Sequence, residues 1–431
     1  MDIGRWIYKE RLKLAWALLP EAKKAKLQPL IDAAHQQLQT FRATGQAPHD
    51  PTVPHELTLA KTALTDDAEG LVTGLPEPEA EAVEIAVDPG GAIWGTGKYQ
   101  QLDPGWLEAA AVWLEHLIFG RHSFPAGEGP VIAIPDELTI ALAGDFGTGN
   151  FGTAADPSPA VKIASNVIPS LAPDLTIHLG DVYYAGTSDQ EADNLLKLWP
   201  SGKAGLGTAF TLNSNHEMYS GGDPYFDAAL KSQLFLAQAP YSFFALENSN
   251  WVIVALDSAY YADELSMYMN GSIGPATGAQ ATFLQAQARK GKKVVVITHH
   301  NGLEEVGSIP ARPGGLWSEV MACFPDGTAP AYWYWGHVHA GVVYETKANG
   351  VKCRCTGYSA LPWGYASELA GNGDVVWFES RNAGDPADQV RVLNGMTLLN
   401  ITAAGLSETF YDENNGTAWL SAPAAKAATQ G

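Results

Sequence analysis

A chain of 431 residues is longer than one hydrophobic core usually reaches, so one large domain with a smaller appendage is expected. Apolar residues make up 46% and charged residues 17%, and no apolar run is long enough to cross a bilayer, which argues against a membrane protein. The formal charge of −21 argues against long-range attraction of nucleic acid or anionic lipid, so an anionic ligand would have to be drawn by a local field, such as that of bound metal ions.

The basic N-terminus holds a short apolar run, Leu14 to Leu19, followed by Lys23 and Lys24 without a small-residue cleavage site, so no signal peptide is expected. Cys323, Cys353 and Cys355 are too few for a disulfide framework and show neither zinc spacing nor a CxxC motif. A reducing cytoplasm is the expected location. Apolar residues at helical spacing predict two helices over 5–43, broken near Pro20. In residues 1–47, lysine and arginine outnumber acids 8 to 4, while the remainder is acidic. This asymmetry suggests docking within the chain or self-association into a homo-oligomer, beside the simpler reading of a solvated helix surface.

An acidic proline-containing loop is expected at 76–81 and a strand near 83–87. Asp103-Pro104-Gly105 predicts the start of a helix over 106–119, with Trp106, Ala110, Trp113, Leu114 and Leu117 on one face. No residue before 140 carries a catalytic signal. Short apolar runs then recur at 138–143, 175–179, 208–212, 251–256, 294–298 and 331–335, each ending in polar residues. Helical stretches at 159–167, 190–198 and 278–289 alternate with them, as in an α/β sheet with chemistry at strand C-termini. Further strands are expected at 341–346, 351–358, 375–378 and 397–411, before an Ala-rich end.

Five strand ends present metal-ligating side chains: Gly144-Asp145-Phe146-Gly147, Gly180-Asp181-Val182-Tyr183-Tyr184, Asn215-His216-Glu217, Thr298-His299-His300 and Gly336-His337-Val338-His339. A lone Asp there would be a cap or turn, and a lone His a core residue; five in succession point to a metal centre. Carboxylates and a phenolate suit trivalent iron, whereas imidazoles and an amide oxygen suit a divalent ion. His337 and His339, two apart, would share one face of a strand, and glycines before Asp145, Asp181 and His337 would allow tight turns.

These blocks resemble the calcineurin-like metallophosphoesterases and, within them, the purple acid phosphatases. Gly147 stands where most of the superfamily has a histidine, and a tyrosine three residues after Asp181 compensates. The resemblance, which spans roughly 138–420, implies that Asp145, Asp181, Tyr184 and His339 hold a first metal, Fe(III). Asp181, Asn215, His299 and His337 would hold a second, divalent ion (Fe, Zn or Mn), with Asp181 bridging. Tyr183 is left in the core. His216 is expected to touch the phosphoryl or leaving-group oxygen, with Glu217 orienting it. His300 is a further candidate catalytic residue, His178 is read as structural, and Arg312 and Arg354 are candidates for substrate contact only by default. Ser214 departs from the family's glycine, and Asn301 from its proline.

The implied fold is an α/β two-sheet β-sandwich flanked by helices over 136–425, with a separate helical and mixed appendage over 1–135. The implied activity is hydrolysis of a small phosphorylated substrate, a monoester with diesters in reach. The alternatives are a dimanganese-type phosphodiesterase or nucleotide hydrolase, for which nucleic acid would enter only as a phosphodiester substrate, and a non-catalytic interaction scaffold.

Overall fold

The computed structural model describes residues 3–65, 85–311, 314–385 and 389–421. The loop at 76–81, Arg312 and the Ala-rich end lie outside them, as does the first part of the strand expected near 83–87. What is seen of that strand, Ala86–Val87, pairs antiparallel with Ile93–Trp94.

Two sheets face each other. One runs, in spatial order, Thr417–Leu420, Gly405–Asp412, Gly395–Thr402, Leu138–Ala143, Leu175–His178 and Ala209–Thr211. The other runs Val375–Phe378, Gly341–Tyr344, Lys352–Thr356, Tyr332–Trp335, Lys293–Ile297, Trp251–Ala255, Phe244–Glu247 and Val131–Ala133. Side chains alternate across a strand, so each sheet buries one set of residues between the layers and the other set under helices. Ile140, Leu142, Ile177 and Phe210 meet Ile253, Val295, Ile297 and Tyr334 between the sheets. Helix Ala279–Ala288 and helix Leu316–Met321 cover the outer face of the second sheet. The helical turns over 159–171 and 188–196 cover the first. The expected two-sheet sandwich flanked by helices is the observed fold.

The middle strands of each sheet are parallel. Leu138–Ala143, Leu175–His178 and Ala209–Thr211 form one parallel set, and Trp251–Ala255, Lys293–Ile297 and Tyr332–Trp335 belong to the other. Parallel strands end on the same side, so every turn that carries a candidate ligand emerges at one edge of the sandwich.

The N-terminal region is less separate than the sequence suggests. Helices Ile3–Leu18 and Glu21–Thr44 break at Pro20, and the second stops at Gly45, whose φ of 68° only glycine adopts readily. Their buried side chains Leu12, Leu27, Ile31 and Leu38 join Trp106 and Trp113 of helix Trp106–Phe119 in one core with Tyr183, Tyr184, Tyr219 and Tyr268. Arg11 grips Glu115 through two bonds of 3.0 and 2.8 Å, and Lys23 reaches Glu264 at 3.2 Å. Strand Val131–Ala133 joins the edge of the larger sheet beside Phe244–Glu247.

Arg354 does not face a substrate pocket. It is buried between the layers, bound to Glu408 at 2.8 and 3.0 Å, and Tyr334 also donates to Glu408 at 2.7 Å. Removing one partner strands a buried charge, a loss of about 3–5 kcal/mol. Glu408→Gln is therefore expected to lower the urea midpoint substantially.

Candidate metal centre and active site

The turns that carry the candidate ligands are tight because four of those residues themselves take the unusual backbone conformation. Asp145, Asp181, His337 and His339 have φ of 57°, 75°, 68° and 56°, in the left-handed region that costs a non-glycine residue about 1–3 kcal/mol. Of the three preceding glycines, only Gly180 has a positive φ, of 98°. Gly144 and Gly336 serve close approach instead. A Cβ on Gly336 would stand 2.7 Å from Asp145 Oδ2, and one on Gly144 3.1 Å from the Gly336 Cα.

The five turns bring six of the seven expected ligands together. Asp181 is central: its Oδ1 lies 3.2 Å from His299 Nε2, and its Oδ2 lies 3.8 Å from His339 Nε2. His339 Nε2 is 3.3 Å from Asp145 Oδ1, and Asn215 Oδ1 is 2.8 Å from His299 Nε2. His337 stacks edge-on to His299 at 5.2 Å, and its backbone N–H donates to the Asp145 carboxylate at 2.9 Å.

The seventh expected ligand is displaced. Tyr184 turns its hydroxyl away, donating to Asp103 at 2.5 Å, with its ring packed on Tyr99 and Trp106. Tyr183, read from the sequence as a core residue, holds its hydroxyl 2.9 Å from Asp181 Oδ2, 3.4 Å from Asp145 Oδ1 and 3.2 Å from His339 Nε2. The cause lies outside the motif: Tyr99, Asp103 and Trp106 form a pocket that satisfies the Tyr184 phenol.

Hydrogen-bond logic decides whether these residues fit metal ions. His299 Nδ1–H donates to the Leu179 carbonyl at 2.8 Å, so a neutral ring presents a lone pair at Nε2. Burial lowers the pKa of His299, against the opposing pull of Asp181 and the Leu179 carbonyl. Asn215 donates its Nδ2 to Tyr219 at 3.0 Å, which turns Oδ1 toward the same point. Atoms of His299, Asn215 and Asp181 thus converge, and with Nε2 of His299 unprotonated all three are acceptors. Asp181 Oδ1 and His337 Nδ1 are buried without a hydrogen-bond partner. Burial, and then the charge of Asp181, pushes Asp145 well above the carboxylate range. Burial raises Asp181 too, but His299 and His216 outweigh it and hold Asp181 well below that range. Burial lowers His339, yet Asp145 and Asp181 carry it up to about 9. Two buried carboxylates flanked by His299, His337, His339 and Asn215 make a site that cations could complete.

His216 is positioned to act on a ligand. Its Nδ1–H donates to the Tyr184 carbonyl at 2.8 Å, and Nε2 faces the cavity, 3.4 Å from Glu56 Oε1. Ser214 caps the short helix Asn215–Tyr219 by accepting the His216 N–H at 3.1 Å, a role glycine could not play. Glu217 does not orient His216. It accepts from Ser214 and from the Asp181 N–H, and burial followed by the charge of Asp181 raises it to about 8. The carboxylate on His216 is Glu56, fully buried, which also accepts from Tyr219 at 2.8 Å and so helps aim Asn215. No spacing or motif marks Glu56 in the sequence.

His300 is not free for catalysis. Its Nε2–H donates to the Tyr268 carbonyl at 2.7 Å, and Nδ1 accepts from Ser258 at 2.8 Å, so both nitrogens are spent inside the protein. Its ring instead packs on His337 at 4.6 Å. His178 is buried, 3.0 Å from Thr211 Oγ1 and packed against Phe146 and Trp199.

A cavity of about 170 Å³ opens over the centre, lined by Asn215, His216, His337 and His339 from the body, with Asn301 and Trp363 beside them. The opposite wall comes from the N-terminal region: the loop over 48–53, His55, Glu56, Asp88 and Trp94. His55 packs edge-on to Trp106 at 4.5 Å and lies 5.9 Å from the His339 ring. The expectation of no catalytic signal before residue 140 therefore missed half the cavity.

Residues 138–341 match the family model described as calcineurin-like phosphoesterase. No curated protein matches the chain. Among solved structures, GAP50, the anchor in the inner membrane complex of Plasmodium, aligns at 13% identity over 66% of this chain and 88% of that one, with a TM-score of 0.43. A conserved uncharacterized protein of Streptococcus pneumoniae TIGR4, described as a predicted phosphoesterase, aligns at 11% identity over 65% of this chain and 92% of that one, with a TM-score of 0.29. The matched stretch, residues 138–341, contains all five candidate ligand turns and is similar to the calcineurin-like phosphoesterases, a family of metal-dependent phosphoester hydrolases.

Proposed function

We propose that the protein is a binuclear metal-dependent hydrolase of small phosphate esters, with monoesters preferred. The observation that carries this reading is the convergence of candidate ligands on both sides of Asp181, whose Oδ1 faces His299 while its Oδ2 faces Tyr183 and His339. Asp145, Asp181, His339 and the Tyr183 phenol would hold one ion; Asp181, Asn215, His299 and His337 would hold the other. Carboxylates with a phenol suit Fe(III), and the imidazole and amide set suits divalent Fe, Zn or Mn. The chemistry such a pair supplies when bound is polarisation of the phosphoryl oxygens and activation of water.

The protein's own part is to bind, orient and move a proton. His216 Nε2 donates to a phosphoryl oxygen or to the departing alkoxide. Asn215 is held in register by Tyr219 and Glu56. The N-terminal wall narrows the cavity, which supports a small ester over a polymer. Among the described residues that line it none is Lys or Arg, while Asp50, Glu56, Asp88, Glu304 and Glu305 are acidic, which supports a leaving group without further negative charge.

A second reading, with two divalent ions and a phosphodiesterase activity, draws support from the Tyr184 hydroxyl being taken by Asp103. Metal content, the visible spectrum and turnover of chromogenic monoester and diester substrates separate the two. The first reading expects iron and a visible band that Tyr183→Phe removes and Tyr184→Phe retains. A colourless, fully metallated and active protein would establish the second. Metallated protein inert toward both substrates would overturn hydrolysis altogether.

A further inference from the structure

At the mouth of the cavity, His49 has both ring nitrogens turned to carboxylates from three other segments. Nδ1 lies 3.3 Å from Asp88 Oδ2, while Nε2 lies 3.4 Å from Glu368 Oε2 and 3.5 Å from Glu305 Oε2. These side chains are largely withdrawn from water, from 6% exposure at Asp88 to 28% at Glu305. The ring is also tightly seated, since a Cβ on Gly90 would fall 2.3 Å from its Cε1.

Two features separate this group from an ordinary ion pair. The first is spacing. A charge-assisted N–H···O bond spans about 2.7–2.9 Å, whereas two atoms each about 2.1 Å from a tetrahedral cation stand about 3.4 Å apart. The Nε2 distances match the second figure, while the 3.3 Å from Nδ1 to Asp88 is a long hydrogen bond of the supporting pair. They also match the primary centre, where His299 and Asp181 are 3.2 Å apart and His339 and Asp145 3.3 Å.

The second feature is the tautomer. Asp88 Oδ1 accepts the N–H groups of Gly91 and Ala92 at 2.8 and 2.9 Å, which pins the carboxylate and leaves Oδ2 to receive Nδ1–H of His49. A carboxylate behind a histidine in this way is the usual support of a metal-ligating ring, because it fixes the lone pair on the opposite nitrogen. With the ring neutral, that lone pair faces two further carboxylates; without a metal, Asp88, Glu305 and Glu368 favour the protonated ring instead and push its pKa up to about 12. A protonated ring would answer only part of the deficit, one positive charge against three negative.

We infer that His49, Glu305 and Glu368 form a third divalent-cation site, of the kind zinc occupies, with Asp88 as its hydrogen-bonded support. The site joins the N-terminal region to the catalytic body: His49 and Asp88 come from one side, Glu305 and Glu368 from the other. His49 and Glu305 both line the cavity, so the cation would clamp the loop over 48–53 as a fixed wall beside the substrate.

The test is a metal count on the full chain, stripped with chelator, reloaded with Zn(II), desalted and quantified by mass spectrometry. The wild type is expected to hold three equivalents. Glu368→Gln and His49→Gln should each hold one fewer, whereas Asp181→Asn should lose metal from the primary centre and keep this one. Circular dichroism checks that each variant is folded, and either of the first two suffices if the other fails. Equal counts in wild type and a folded Glu368→Gln or His49→Gln chain would overturn the third site and leave the binuclear reading intact. A deficit in those two, with none in Asp181→Asn, would uphold it and overturn the binuclear reading.

Discussion

Asp181→Asn is expected to lower phosphoester hydrolysis by about 10³-fold or more, a loss of the size seen when a preorganised electrostatic group is removed from a reaction centre. The change is nearly isosteric, so packing survives and charge is what changes. Asp181 is the one side chain whose two oxygens face both ligand sets, toward His299 on one side and toward Tyr183 and His339 on the other. An amide offers one acceptor oxygen in place of two, and its NH₂ would point a donor at atoms proposed as ligands. Metal analysis beside the rate assay is the check: retention of both primary metals with full activity would show that Asp181 bridges nothing.

His216→Ala should cost about 10² to 10⁴ in kcat, the range for loss of one proton-transferring group, while metal content stays at the wild-type level. The separation of the two readouts matters, because His216 adjoins Asn215 in sequence but points elsewhere. Its Nδ1 is tied to the Tyr184 carbonyl and its Nε2 looks into the cavity. A substrate whose leaving group departs easily without a proton should be much less affected than a simple alkyl ester. Equal losses on both would mean that His216 binds the phosphoryl group and does not assist the departure. Unchanged kcat on both would remove it from the mechanism.

The framework was legible wherever one element reports on itself. Runs such as 138–143 and 294–298 are apolar because both faces of their sheets are covered, and Asp145 and His299 follow them because parallel strands deliver their C-terminal turns to one edge. What was not legible depends on partners far away in the chain. The choice between Tyr183 and Tyr184 turns on Asp103 and Tyr99, some eighty residues earlier, which offer one phenol a better berth. His300 looked catalytic because it follows a ligand, but Ser258 and the Tyr268 carbonyl satisfy it. Glu56 was invisible for the same reason: a lone carboxylate between Pro54 and Leu57 gives no hint that Tyr219 and His216 will close over it. Spacing thus located turns that the fold brings together, while contacts between distant segments chose which side chain at each turn faces inward.

The strand that delivers Asp145 has, as one neighbour, strand Gly395–Thr402, which the ribosome makes more than half a chain later. On its other side lies Leu175–His178, made almost at once. During synthesis the first ligand strand therefore waits as an open edge until the hairpin over 395–412 emerges to close it, a long interval of the kind that slows folding and invites aggregation. A stop codon just before that hairpin would leave every candidate ligand encoded and yet deprive the centre of the backbone that holds Asp145 in place.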